Sequence, residues 1–261
     1  MQHVRMAALA ALGAGWMMAA PADAQRQDFR WSGQVARGQS LEVHGISGDI
    51  DAQPASGDRV EVVGRFAGRN ADELRVEVVQ RAGRVIVCTV YPGTVNVGRG
   101  DQPCGHNRGS GRRNFNGTVN YTVRVPAGVR LVASTVSGDV RADGLRGAVQ
   151  AATVSGDVRV GTSETASATT VSGDVDVTFG AVTSGTSFST VSGDVTLHAG
   201  SGVNADVTAS TVSGDIEGDF GVESSRRRSP GNRNASGRIG RGGARVSITT
   251  VNGDIRVERA R

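Results

Sequence analysis

One seven-residue phrase recurs along the chain and limits what it can fold into more than any other feature. It reads STVSGDV at 134–140, ATVSGDV at 152–158, TTVSGDV at 169–175, STVSGDV at 189–195, STVSGDI at 210–216 and TTVNGDI at 249–255, with a looser GISGDI at 45–50. The aspartates of the six full copies, Asp139, Asp157, Asp174, Asp194, Asp215 and Asp254, are separated by 18, 17, 20, 21 and then 39 residues. Self-similarity at such a period marks a solenoid, in which each unit buries its apolar face only against its neighbours. The uneven spacing implies fixed strands joined by loops of variable length.

Alternation ahead of each copy shows which face is buried. Leu131/Ala133/Thr135, Val149/Ala151/Thr153, Thr186/Phe188/Thr190, Val207/Ala209/Thr211 and Val246/Ile248/Thr250 fall on one side, with Gln150, Ser187, Thr208 and Ser247 on the other. After the Gly-Asp turn the pattern restarts, as in Val140-Arg141-Ala142 and Val158-Arg159-Val160. Each rung is therefore two short strands joined at a corner, and successive rungs stack about 4.8 Å apart in parallel sheets. Period two places the motif Thr inward, and with it the Ser or Asn two residues later, where they can bond to their copies above and below. Glycine allows a bend with positive φ, and aspartate bonds to N–H groups of its own turn. The motif valines (Val136, Val154, Val171, Val191, Val212, Val251) fall outward. They form either a contact stripe for a partner or a column covered by the bend or an adjacent loop. The expected fold is all-β: a parallel β-solenoid, wound as a right-handed single-stranded β-helix of ~17–21-residue rungs with an N-terminal β cap.

Composition agrees. The chain has 261 residues, 38 of them Gly and only ten aromatic, so its core must be thin and built of Val and Ala. Residues 1–24 carry a positive Arg5, an apolar run from Met6 to Ala20 and a small-x-small Ala22-Asp23-Ala24 site, the pattern of a cleaved secretory signal. Its apolar run is shorter than the roughly 20 residues of a membrane span, so no span is expected after cleavage. Residues 25–126 then read as an N-terminal β region or cap and 127–261 as the repeat solenoid, together one continuous domain. In an oxidising compartment Cys88 and Cys104, the only cysteines, are expected to pair. Closing that loop is worth about 3 kcal/mol in the chain-entropy view.

Net charge is +4, and all 29 basic residues are arginine. The gap before the last copy contains Arg226, Arg227 and Arg228 in a row, either a surface loop or a contact for anions such as acidic polysaccharide. No aromatics interleave them, which argues against nucleic acid. The closing RVERAR places charges on an expected open sheet edge, where they discourage edge-to-edge pairing.

The repeats, VCTVYPG at 87–93, YTVRVPAGVRL and the closing GRGGARVSITTVNGDIRV together resemble the bacterial DUF4097 family of candidate adhesins over roughly 40–261. The resemblance implies a β-solenoid in an envelope or surface setting, periplasmic, cell-surface or secreted, and supplies no catalytic residues.

Three functions compete. The first is an exported, non-enzymatic module that binds an envelope or extracellular polysaccharide or a protein, without cofactor. The second is a polysaccharide-active β-helix enzyme, but a column of identical aspartates is structural repetition, whereas active sites break a repeat. The third is calcium binding by that column, since carboxylates stacked about 5 Å apart repel unless screened.

Overall fold

The computed structural model describes residues 28–95, 97–98, 103–107, 115–218, 223–225 and 233–260. The expected signal segment and Arg226, Arg227 and Arg228 lie outside the described residues. Two long sheets face each other across a core of Val, Ala, Leu and Ile that runs unbroken from Val35 to Val257. In every rung the strand before the motif lies in one sheet and the strand after it in the other. Thus Arg130–Ser134, Val149–Ala152, Ala166–Thr169 and Thr186–Ser189 pair in parallel, as do Val140–Leu145, Val158–Thr162, Val175–Phe179 and Val195–Ala199. The looser copy at 45–50 forms a full rung, with Ser40–His44 beside Arg130–Ser134 and Ile50–Pro54 beside Val140–Leu145.

Antiparallel strands close both sheets at one end of the stack and one sheet at the other. Beyond the first rung come Arg84–Val90 and Thr118–Val125, which pair antiparallel with Arg75–Arg81 and Arg59–Ala67, and Phe29–Gln34 lies outermost. At the other end Arg233–Ile239 runs antiparallel to Ala205–Thr211.

The alternation places the core correctly: Leu131, Ala133 and Thr135 are buried, as are Val158, Val175 and Val195, and the motif valines point outward. The corner itself departs from period two. Ser137, Ser155, Ser172, Ser192, Ser213 and Asn252 are exposed rather than inward. The cause is a local bend in which two successive N–H groups converge on one carbonyl. Val171 and Ser172 both donate to Val154 O, at 3.3 and 2.9 Å. Alternation stops where the backbone is no longer extended.

The polar ladders differ from expectation too. Each motif Thr donates not to its copy but to the Gly carbonyl of the neighbouring rung, at 2.9–3.1 Å, from Thr135 on Gly48 through to Thr211 on Gly253. Each Asp carboxylate but that of Asp215, on the last rung, accepts the N–H of the next rung's Asp rather than one in its own turn. Asp157 N–H donates to Asp139 Oδ1, Asp174 to Asp157 and Asp194 to Asp174, all at 2.8–2.9 Å. Glycine is required for this approach. Gly173 has φ 144°, and a Cβ there would sit 2.0 Å from Gly156 O.

The last two copies stack out of chain order. Ala244–Thr249 lies between Thr186–Ser189 and Ala205–Thr211, and Ile255–Arg259 between Val195–Ala199 and Ile216–Gly218. The C-terminal strand is thus interior, not an open edge. Its charges pair laterally, with Arg256 reaching Glu217 at 3.6 Å on one side and Asp194 at 3.9 Å on the other, and Glu258 lying 3.6 Å from His198.

This face assignment yields a paired test. Val175→Asp buries a carboxylate and should abolish the folded circular-dichroism signal at 25 °C. Val171→Ser, at an exposed site, should shift stability by no more than about 0.5 kcal/mol.

Candidate functional site

The long parallel pairing brings together residues that are far apart in sequence on the outer faces. Outward side chains of the sheet containing Arg130–Ser134 form columns along the stack. Gln150, Ser167, Ser187 and Ser247 make one such column, since Gln150 is level with Ser167 and Ser187 with Ser247. Over it lies an open trough of about 610 Å³, lined also by Arg130, Glu164, Thr165, Thr183, Ser184 and Arg245. Arg130 and Arg245 stand at its two ends, four rungs and about 19 Å apart. The Arg130 guanidinium donates to Gln150 Oε1 at 3.1 Å, and Thr165 and Thr183 hydroxyls lie 3.2 Å apart. Arg245 is exposed and has no ion-pair partner among the described residues. Its hydroxyls offer both donors and acceptors, and Ser167 Oγ donates to Ser187 O at 3.0 Å, bracing neighbouring rungs.

A second cluster sits where the first rung meets the next. His44 Nδ1 lies 2.6 Å from Ser134 Oγ, and His44 Nε2 lies 3.6 Å from Glu42, which Arg84 approaches at 3.4 Å. The order Ser–His–acid matches a nucleophilic relay. Acyl transfer also needs free N–H donors where the oxyanion would form. Here the flanking amides are spent: Gly45 N–H donates to Ser134 O and Thr135 N–H to Ala152 O. The trio therefore works as a polar clamp between two rungs. Neither cluster was visible in the sequence, since Ser134 and His44 are 90 residues apart and only strand register joins them.

The sequence-predicted residues fall elsewhere. Cys88 and Cys104 form a disulfide that holds the segment after Arg84–Val90 against that strand's outer face, over Ile86 and Val90. The turn aspartates commit one carboxylate oxygen to the next rung, and Asp139 also pairs with Arg141 at 2.7 Å. No cluster of three or more metal-binding side chains occurs among the described residues. No helix among them is long and apolar enough to cross a membrane.

Residues 31–258 match the DUF4097 (Toastrack) family model. The chain belongs to that family. Two crystal structures are similar over 90% of this chain: a candidate cell adhesion protein from Clostridium sporogenes ATCC 15579 (9% identity, all of that chain, TM-score 0.47) and a candidate adhesin from Bacteroides fragilis NCTC 9343 (12% identity, 98% of that chain, TM-score 0.34). Likeness at this level does not bear on function. No curated protein matches the chain.

Burial pushes the His44 imidazole below its ordinary 6.5, against the opposing pull of Glu42. The folded state then binds this proton less readily than the unfolded chain, so stability is full above pH 6.5 and falls as the pH drops through the lowered value. Thermal melts between pH 7 and 5 should show a steeper acid loss in the wild type than in His44→Gln. Equal slopes would show that His44 is not the group responsible.

Proposed function

We propose that the protein is an exported, non-enzymatic binding module of the cell envelope whose trough holds an extended acidic polysaccharide. The observation that carries this reading is the pairing of Arg130 and Arg245 at opposite ends of a hydroxyl-lined floor. Guanidinium groups bind carboxylate or sulfate in a fixed fork geometry, and serine and threonine hydroxyls bond to sugar hydroxyls between them. An extended polymer matches a site whose groups repeat with the rungs. Cleavage would require a pair of carboxyl groups flanking the scissile bond. Glu164 is the one carboxylate lining the trough, which supports binding without hydrolysis. Export is supported by the pattern of residues 1–24 and agrees with the Cys88–Cys104 disulfide.

The test incubates the chain from Gln25 onward with acidic and neutral polysaccharides and follows both co-sedimentation and release of reducing or unsaturated ends. Acidic polymers should be retained uncleaved, and the double variant Arg130→Ala/Arg245→Ala should weaken retention at least tenfold. Cleavage products, or retention indifferent to both arginines, would contradict the reading.

A further inference from the structure

The corner carries a feature that glycan binding leaves unused. Ile46, Val136, Val154, Val171, Val191, Val251 and Val212 follow one another rung by rung, and each is 37–45% exposed. Among the described residues only Val95 is another exposed large hydrophobic side chain. Six rung spacings make the column about 29 Å long. It presents on the order of 450 Å² of apolar surface, within the range of the largest patch a monomer leaves bare. With the exposed Ser and Asn side chains beside it, the strip reaches roughly 700 Å², close to the ~800 Å² per partner of a standard interface.

We propose that this strip is the face along which two copies of the chain pair side by side, with their stacks parallel. A second copy is the occupant whose spacing matches by construction, since its valines rise by the same rung-to-rung step. Charge selects the direction. On one flank of the valines runs the aspartate column, including the exposed Asp157 and Asp174. On the other flank run the hydroxyls of Thr169, Ser189 and Thr249. A two-fold axis along the stack sets carboxylates of one copy against hydroxyls of the other, where they accept hydrogen bonds. An axis across the stack would set carboxylates against carboxylates, which repel. The parallel pair is therefore the arrangement the surface favours.

Sedimentation velocity of the chain from Gln25 onward, over a concentration series, should give a dimer. The triple variant Val154→Ser/Val171→Ser/Val191→Ser should raise its dissociation constant at least tenfold while keeping the folded circular-dichroism spectrum at 25 °C. Parallel pairing brings each residue against its own copy, so Val136→Cys alone and Val251→Cys alone should each cross-link into dimers on oxidation. That arm stands even if the triple variant fails to fold. A monomer at every concentration, or a dimer unaffected by the triple substitution, would overturn the proposal. So would cross-linking only when the Val136→Cys and Val251→Cys proteins are mixed, since that outcome denotes an antiparallel pair.

Discussion

Everything in this molecule depends on how closely one motif glycine approaches the next. With no Cβ, the glycine of one rung lies against the glycine carbonyl of its neighbour, and at that distance the Thr hydroxyl and the Asp carboxylate reach across the gap. Each such bond contributes only about 1 kcal/mol net, but it recurs at every rung and fixes register as well as stability. Both ladders are also finished at their ends. At the N-terminal end Gly45 stands where other copies have Thr, and Asn120 Oδ1 accepts the Asp49 N–H at 2.9 Å. At the other end the Arg233 guanidinium donates to both Gly214 O and Asp215 Oδ1, the two acceptors the next rung would have used.

A ladder of identical bonds does not distinguish between copies, and the chain uses that freedom. The copy at 249–255 stacks directly on the one at 189–195, and the copy at 210–216 stacks on top of it, with Asp254 N–H on Asp194 and Asp215 N–H on Asp254. Arg233–Ile239 then lies outside Ala205–Thr211 while Ala244–Thr249 lies inside it, so the strand at 205–211 is held on both sides by sequence that follows it. The 39-residue gap between the last two copies is the length this excursion needs. The same arrangement takes the charged C-terminal strand away from the edge and uses its arginine to tie three rungs together.

What could be read from sequence was whatever alternation and repetition encode. The inward Leu131, Ala133 and Thr135, the two-strand rung and the outward valines all follow from period two, and the Cys88–Cys104 pairing follows from there being no other cysteine. The outward turn of Ser137 and its copies did not follow, because a bend in which two amides share a carbonyl leaves no mark in polarity. The aspartate's partner was misplaced by one rung, since a short side chain satisfies its own turn or the next with the same residue. The candidate site was the least legible part. Arg130 and Arg245 share a trough only because four intervening rungs align, and the copies stack in an order that spacing alone does not reveal. The Arg226–Arg228 run, singled out as an anion contact, lies outside the described residues.

The functional reading rests on this regularity, since parallel rungs hold the hydroxyls and arginines of the trough at a fixed step. The claim beneath it is that aspartates bond between rungs and not within their own turn. Amide hydrogen exchange by NMR on Asp174→Ala tests this most directly. The account predicts that the Asp194 N–H, which donates to Asp174 Oδ1 at 2.8 Å, loses protection, while the N–H of residue 174, held by Asp157, keeps it. Loss of protection within the turn of residue 174, with Asp194 unchanged, would contradict it.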